Sequence, residues 1–344
     1  MAPISKVISM ALANLTPRQK EVLIGRFGLE KQDEKGETLA AIGERMDVTR
    51  ERIRQIENVA IVCAKENLLK NNDIVSSLKK ISDYLRENGG AVKKDVVVRH
   101  VSEFLNGVGG NQIDFLSATS GFFNVRAEDK DYFPFYYLAE KDMKMALGFV
   151  ESWMNYLKSR KQKVFSASYE AILAEFLKTK PSLSHVAENY LTLSKRIRKN
   201  PYGDRGLREW PEINPMTIRD KIYLVMKKKK EPLHFEAIAH TINEACFDDH
   251  RALTPTVHNE LIKDDRFSLV GRGMYGLREY GYESGTAREA IAKVLKKKGP
   301  LVPIDVVSHV NQTYSFRKNT ILINLQNKDF FERLSDGTYR IRES

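Results

Sequence analysis

Along most of the chain, apolar residues return every three or four positions in short runs broken by Gly, Pro, Asn and Asp. That spacing predicts amphipathic helices joined by turns. Near the N-terminus it predicts a short helix over 38–46, opened by Thr38 as its N-cap. Asp47-Val48 form a tight turn, and Thr49 caps the next helix. On a 3.6-residue period Arg50 and Arg54 share one side with Glu51 and Gln55 beside them, while Ile53, Ile56 and Ala60 fall on the opposite, buriable stripe. Two helices so joined form a helix-turn-helix, whose second helix enters the DNA major groove. An exposed face of Arg, Glu, Arg and Gln suits base edges: Arg for guanine, Glu for cytosine, Gln for adenine. A solvated, salt-bridged helix face has the same pattern, so charge spacing by itself leaves both open.

Farther along, one layout recurs. Helical periodicity around 78–81, 222–225 and 291–294 is followed by Gly89-Gly90, Glu231-Pro232 or Gly299-Pro300, a short extended apolar piece, and a second helix through 98–101, 239–242 or 308–310. A third helix and an aromatic hairpin come next. The hairpins join Phe122-Phe123-Asn124-Val125 to Tyr136-Tyr137-Leu138, 266–270 to Met274-Tyr275-Gly276-Leu277, and 330–334 to Thr338-Tyr339-Arg340-Ile341. Turns at Gly271-Arg272-Gly273 and Asp336-Gly337 favour such hairpins. Three helices with a hairpin make a winged helix. A fourth copy is expected over 141–213, with helices at 145–157, 169–177 and 185–196. The expected fold is mainly α with small β-hairpin wings: a helix-turn-helix at 1–70, then winged helices at 71–140, 141–213, 214–283 and 284–344.

Several ordered motifs carry a resemblance. Leu15-Thr16-Pro17-Arg18-Gln19-Lys20-Glu21-Val22-Leu23, Arg26-Phe27-Gly28-Leu29, Thr38-Leu39 and Val48-Thr49-Arg50-Glu51-Arg52-Ile53-Arg54-Gln55-Ile56-Glu57 resemble region 4 of bacterial primary sigma factors. The resemblance covers about residues 10–68. It implies a module that reads the promoter −35 element and docks on the RNA polymerase flap. It further implies base contacts from Arg50, Glu51 and Gln55, with Thr38 and Arg54 on phosphates or orienting the reading helix; Thr49, the cap of that helix, is a further DNA-binding candidate. Two departures stand out. Leu39-Ala40-Ala41-Ile42 lacks the family's acidic pair, and 58–64 is apolar almost all round where the family is basic. The second predicts that Val59, Ile61, Val62 and Cys63 are largely buried against later residues of the chain, which leaves flap docking open. Residues 215–282 resemble the HARE-HTH family, the winged helix also found in the polymerase delta subunit.

The 344 residues carry a net charge of +11, which favours a polyanionic partner. Lys195, Arg196, Arg198 and Lys199 are expected to close a helix and lead into a wing, and Arg272 stands in the third wing; all five are candidates for DNA phosphates. Basic residues also end helices because the dipole favours them, which is the expectation for 227–230 and 296–298. The insert Arg126-Ala127-Glu128-Asp129-Lys130-Asp131 is net acidic and suits packing or a protein partner better than DNA.

His240, Cys246 and His250 lie near one another, but the spacing lacks the tight pairs of zinc sites. His100, His240 and His309 share a repeat position, which points to packing and to no metal. No phosphate-cradling Gly-Lys-Ser/Thr loop, Gly-x-Ser-x-Gly or His-Glu-x-x-His occurs, so neither an enzyme nor a cofactor is expected. With two cysteines, no apolar run of spanning length and no signal-peptide core, a cytoplasmic, nucleoid-associated protein is expected, with no membrane or small-molecule partner. Two readings follow. One is a sequence-specific regulator on double-stranded DNA, lacking the region that reads the −10 element. The other is an accessory subunit of RNA polymerase acting through protein contacts.

Overall fold

A computed structural model of the chain describes residues 2–30, 35–160 and 169–342. It is mainly helical with small sheets, and it divides into two units, 1–197 and 198–344.

The first unit opens with α1 (Ile4–Ala11), α2 (Pro17–Phe27), α3 (Leu39–Arg45) and α4 (Arg50–Leu69). Thr16 starts α2 with a full capping box to Gln19, and Pro17 occupies the first turn, where its missing N–H costs nothing. Gly28 ends it in the left-handed conformation. Then come α5 (Asn72–Glu87), α6 (Lys94–Ser102) and α7 (Gly110–Ser120). Strand Phe135–Tyr137 lies between Ala91–Lys93 and Asn124–Arg126 in an antiparallel sheet, with Val125 opposite Tyr136. These three helices and the sheet all lie within 71–140.

One core runs through all of these helices but α3. Leu23 of α2 and Ala60, Ala64 and Leu68 of α4 pack with Leu78, Ile81 and Leu85 of α5 and with Ile113, Phe115 and Leu116 of α7. The buried stripe of α4, Ile53, Ala60, Ala64 and Leu68, follows helical spacing. The expectation for 58–64 is therefore half corrected. The helix does pack on later residues, but Val59 and Val62 remain 54% and 57% exposed, with Ile61 and Cys63 only half-buried. Residues 59 and 62 sit about 100° and 200° around the helix from Ala60, on its outer side. Apolar composition announces burial without saying which side is covered.

α8 (Glu140–Ser159), α9 (Tyr169–Leu177) and α10 (Ala187–Thr192) complete the first unit. Trp153 is fully buried, with its indole N–H donating to Tyr169 Oη at 3.2 Å and Phe176 against its ring. The third helix expected over 185–196 is shortened to six residues. The chain leaving it is diverted onto the 124–137 hairpin: Phe133 N donates to Leu193 O at 2.9 Å and Lys195 N to Asp131 O at 2.8 Å. Lys195 and Arg196 thus follow a bridge between Tyr132 and Ser194 and do not close a helix.

The second unit holds α11 (Ile218–Lys229), α12 (Phe235–Ala245) and α13 (Thr254–Lys263), with a sheet ordered Leu233–His234, Met274–Leu277, Phe267–Gly271. Gly273 makes the hairpin turn at φ +70°, and a Cβ there would lie 2.4 Å from His234 Nε2. α14 (Ala287–Lys298), α15 (Pro303–Val310) and α16 (Lys318–Leu325) follow, with hairpin Phe331–Arg333 and Tyr339–Ile341. The two helical sets have separate cores, one around Ile222, Ile238 and Leu261, the other around Ile291, Val306 and Ile321. The three equivalent histidines differ. His100 stacks on Tyr84 at 3.9 Å and His309 is half-buried, whereas His240 is exposed beside Glu244, so a shared packing role does not extend to it.

Candidate nucleic-acid interface

The helix-turn-helix is assembled by two caps and a small core. Thr38 Oγ1 accepts from Ala41 N at 3.1 Å, and Thr49 Oγ1 accepts from Arg52 N at 3.2 Å. Between them Asp47 adopts φ +51°, and Val48 N donates to Gly43 O at 2.9 Å. A Cβ on Gly43 would lie 2.7 Å from Val48 O, so only glycine admits so close a turn. Val22, Ile42 and Ile53 are fully buried at the junction, with Leu39, Val48 and Ile56 around them.

Ion pairs brace the arrangement from outside. Arg26 Nε meets Glu57 at 3.1 Å while its Nη1 donates to Glu37 O at 3.0 Å. Arg45 pairs with both Glu21 and Glu37. Arg26 and Glu57 stand in the motifs quoted above, but 31 residues separate them, and only the folded chain shows that they hold α2 against α4.

All six N-terminal candidates are exposed: Thr38 and Thr49 at the caps, and Arg50, Glu51, Arg54 and Gln55 on the first two turns of α4. Arg54 grips Glu51 with two hydrogen bonds, 2.7 and 2.9 Å. That pairing holds the Glu51 carboxyl below its usual range and raises Arg54, so both stay charged at neutral pH. Gln55 Oε1 accepts from Arg52 at 3.1 Å. The first two turns thus offer cationic, anionic and amide groups on one outward stripe, while the lower half of α4 belongs to the core.

The other candidates are placed elsewhere. Lys195 Nζ is 2.5 Å from Glu128 and donates to Asp129 O at 2.7 Å. Arg196 lies 4.0 Å from Asp131 and 3.9 Å from Glu151. The acidic 126–131 insert thus engages Lys195 and Arg196, two of the five cations offered to DNA. Arg198 and Lys199 are exposed at the start of the second unit, and Arg272 is exposed in its hairpin turn. Among the described residues, no group of three or more His, Cys, Asp or Glu is arranged to hold a metal ion, and no helix is long and apolar enough to cross a membrane.

Residues 11–65 match the family model for sigma-70, region 4. Similar proteins include the RNA polymerase sigma-B factor of Nostoc sp., 56% identical over 50 residues, which are 14% of each chain. The RNA polymerase sigma factor SigA of Clostridium acetobutylicum is 45% identical over 74 residues, 22% of this chain and 17% of that protein. The sigma factor RpoD of Helicobacter pylori is 50% identical over 54 residues, 16% and 8%. The chain spans no more than 17% of the length of these relatives.

Proposed function

We propose that this chain, whose residues 11–65 are a sigma-70 region 4 domain, is a sequence-specific transcription regulator that reads a −35-like promoter element on double-stranded DNA. The supporting observation is the outward stripe at the start of α4, mounted on a capped and packed helix-turn-helix. Arg50, Glu51 and Gln55 face the bases, while Thr38, Thr49 and Arg54 meet phosphates or hold the helix in register. Winged helices at 71–140, 141–213, 214–283 and 284–344 carry this module, and Arg198, Lys199 and Arg272 extend the basic surface. Binding is its whole activity, without a reaction or a cofactor, and a nucleoid address in the cytoplasm follows from the partner.

A second reading, a subunit that acts on RNA polymerase through protein contacts, is favoured by the exposed Val59, Val62 and Leu69 on α4. Selection from random duplexes by the purified protein, followed by capture of polymerase, separates the two. On a selected duplex, Arg50→Ala or Gln55→Ala should cost about 1–3 kcal/mol of binding and relax one base position each. Titration against selected and random duplexes checks it: equal loss on both means that these side chains only neutralise phosphates.

A further inference from the structure

The third helices of the four helical repeats have different surroundings. α7 is almost wholly buried, and α10 is six residues long, with Asn189 and Tyr190 bonded to the 88–91 turn. α13 and α16 each bury two residues four apart, Val257 and Leu261 or Ile321 and Leu325, and turn the opposite face outward. Those buried pairs align the two helices position by position. Arg317, Lys318, Asn319 and Gln326 then stand where α13 has Leu253, Thr254, Pro255 and Ile262. The charge differs likewise: 284–344 holds eleven Lys and Arg against six Asp and Glu, whereas 214–283 holds eleven of each.

We propose that α16 and its hairpin form a second duplex-DNA site with a preference for A·T pairs. Between 306 and 328 there is no acidic residue, so nothing on this stretch repels phosphate. Arg317 and Lys318 are exposed at the start of the helix, placed for backbone contacts. Asn319, Thr320, Ile323 and Gln326 form the outward stripe behind them. Amides pair two-pronged with adenine, and an aliphatic side chain such as Ile323, 69% exposed on this face, meets the thymine methyl. A groove between α16 and the hairpin is lined by Gln326, Lys328, Arg333 and Arg342, with Glu332 as its one acidic wall residue. Arg342 is held there by a 2.8 Å bond to Lys328 O. Arg340 is answered by Glu332 at 2.9 Å and stands outside this set.

The proposal rests on the reading that the chain binds duplex DNA, but it assigns side chains distinct from those on α4. Its test is selection from random duplexes by the full chain in three forms: unaltered, Arg50→Ala with Gln55→Ala, and Asn319→Ala with Ile323→Ala and Gln326→Ala. The α16 positions are exposed, so the fold is expected to persist, and circular dichroism checks that. The unaltered chain should enrich two blocks, one of them A·T-rich. The α16 variant should keep the first block, lose the A·T block and bind the selected duplex at least about tenfold more weakly. Arg317→Ala with Lys318→Ala should lower the slope of log affinity against log salt by about 1.8, two phosphates at 0.9 each. A single enriched block, or an A·T block unchanged in the α16 variant, overturns this site and leaves the α4 reading standing. No enrichment by the unaltered chain overturns both.

Discussion

Phe115→Ala should lower the stability of the 1–197 unit by about 3–5 kcal/mol, the usual cost of deleting a buried ring. Phe115 is fully buried on α7 and meets Phe27 of α2 edge-on, with ring centres 5.5 Å apart. Ala60 and Ala64 line the same core, and Asn111 at the start of α7 donates to Gly28 O at 2.5 Å. The helix-turn-helix has Val22, Ile42 and Ile53 as a buried cluster of its own, while Leu23, Ala60, Ala64 and Leu68 share a core with α5 and α7. Removing α5 and α7 uncovers that shared face, and what stays buried in so short a fragment does not offset the ordering of some seventy residues. A fragment ending at residue 70 should therefore lose cooperative unfolding, whereas 1–197 should keep it. Urea unfolding followed by circular dichroism checks both. A sharp transition in the short fragment, at the midpoint of the longer one, would mean that α7 adds nothing to the module.

The second large effect belongs to Asp248. Lys221 is a buried ammonium, its side chain 3% exposed, and Asp248 answers it at 2.7 Å. Asp248→Ala leaves that charge without its partner. Leaving a buried charged donor without its partner costs about 1–3 kcal/mol, and Asp248 is itself exposed, which keeps the pair below the cost of a fully buried one. The Lys221 hydrogen bond holds the Asp248 carboxyl below its ordinary range. Its folded value thus lies below its unfolded one, near 4. The stabilisation is present above the unfolded value and is lost as pH falls through the folded one. Thermal unfolding between pH 7 and 3 should show a weaker acid limb in the variant. Equal stability of the two proteins at pH 7 would contradict the role assigned to the pair.

Much of this was legible in the sequence because it is local. Thr38 and Thr49 announced caps, Asp47-Val48 a turn, and the aromatic pairs 267–270 and 274–277 a hairpin; each depends on neighbours within a few residues. The face of α4 that carries Arg50 and Gln55 was readable for the same reason. What escaped depends on long-range pairing. The bond between Lys195 and Glu128 joins segments far apart in sequence, and each looked like an independent surface charge until they met. The outward turn of Val59 and Val62 depends on where α5 and α7 press, which helical period alone does not encode. The shortening of α10 likewise came from a hairpin some sixty residues earlier.

α4 runs unbroken from Arg50 to Leu69, so one rod carries the side chains proposed to face the bases at one end and the residues seated among α5 and α7 at the other. Twenty residues span about 30 Å, and a tilt of about 10° at the seated end would swing the far end by about 5 Å, more than a base-pair step. Aim is therefore decided at the seat. Substitutions around Ala64 and Leu68, well away from the bases, should alter which sequences are tolerated before they alter how strongly the backbone is held.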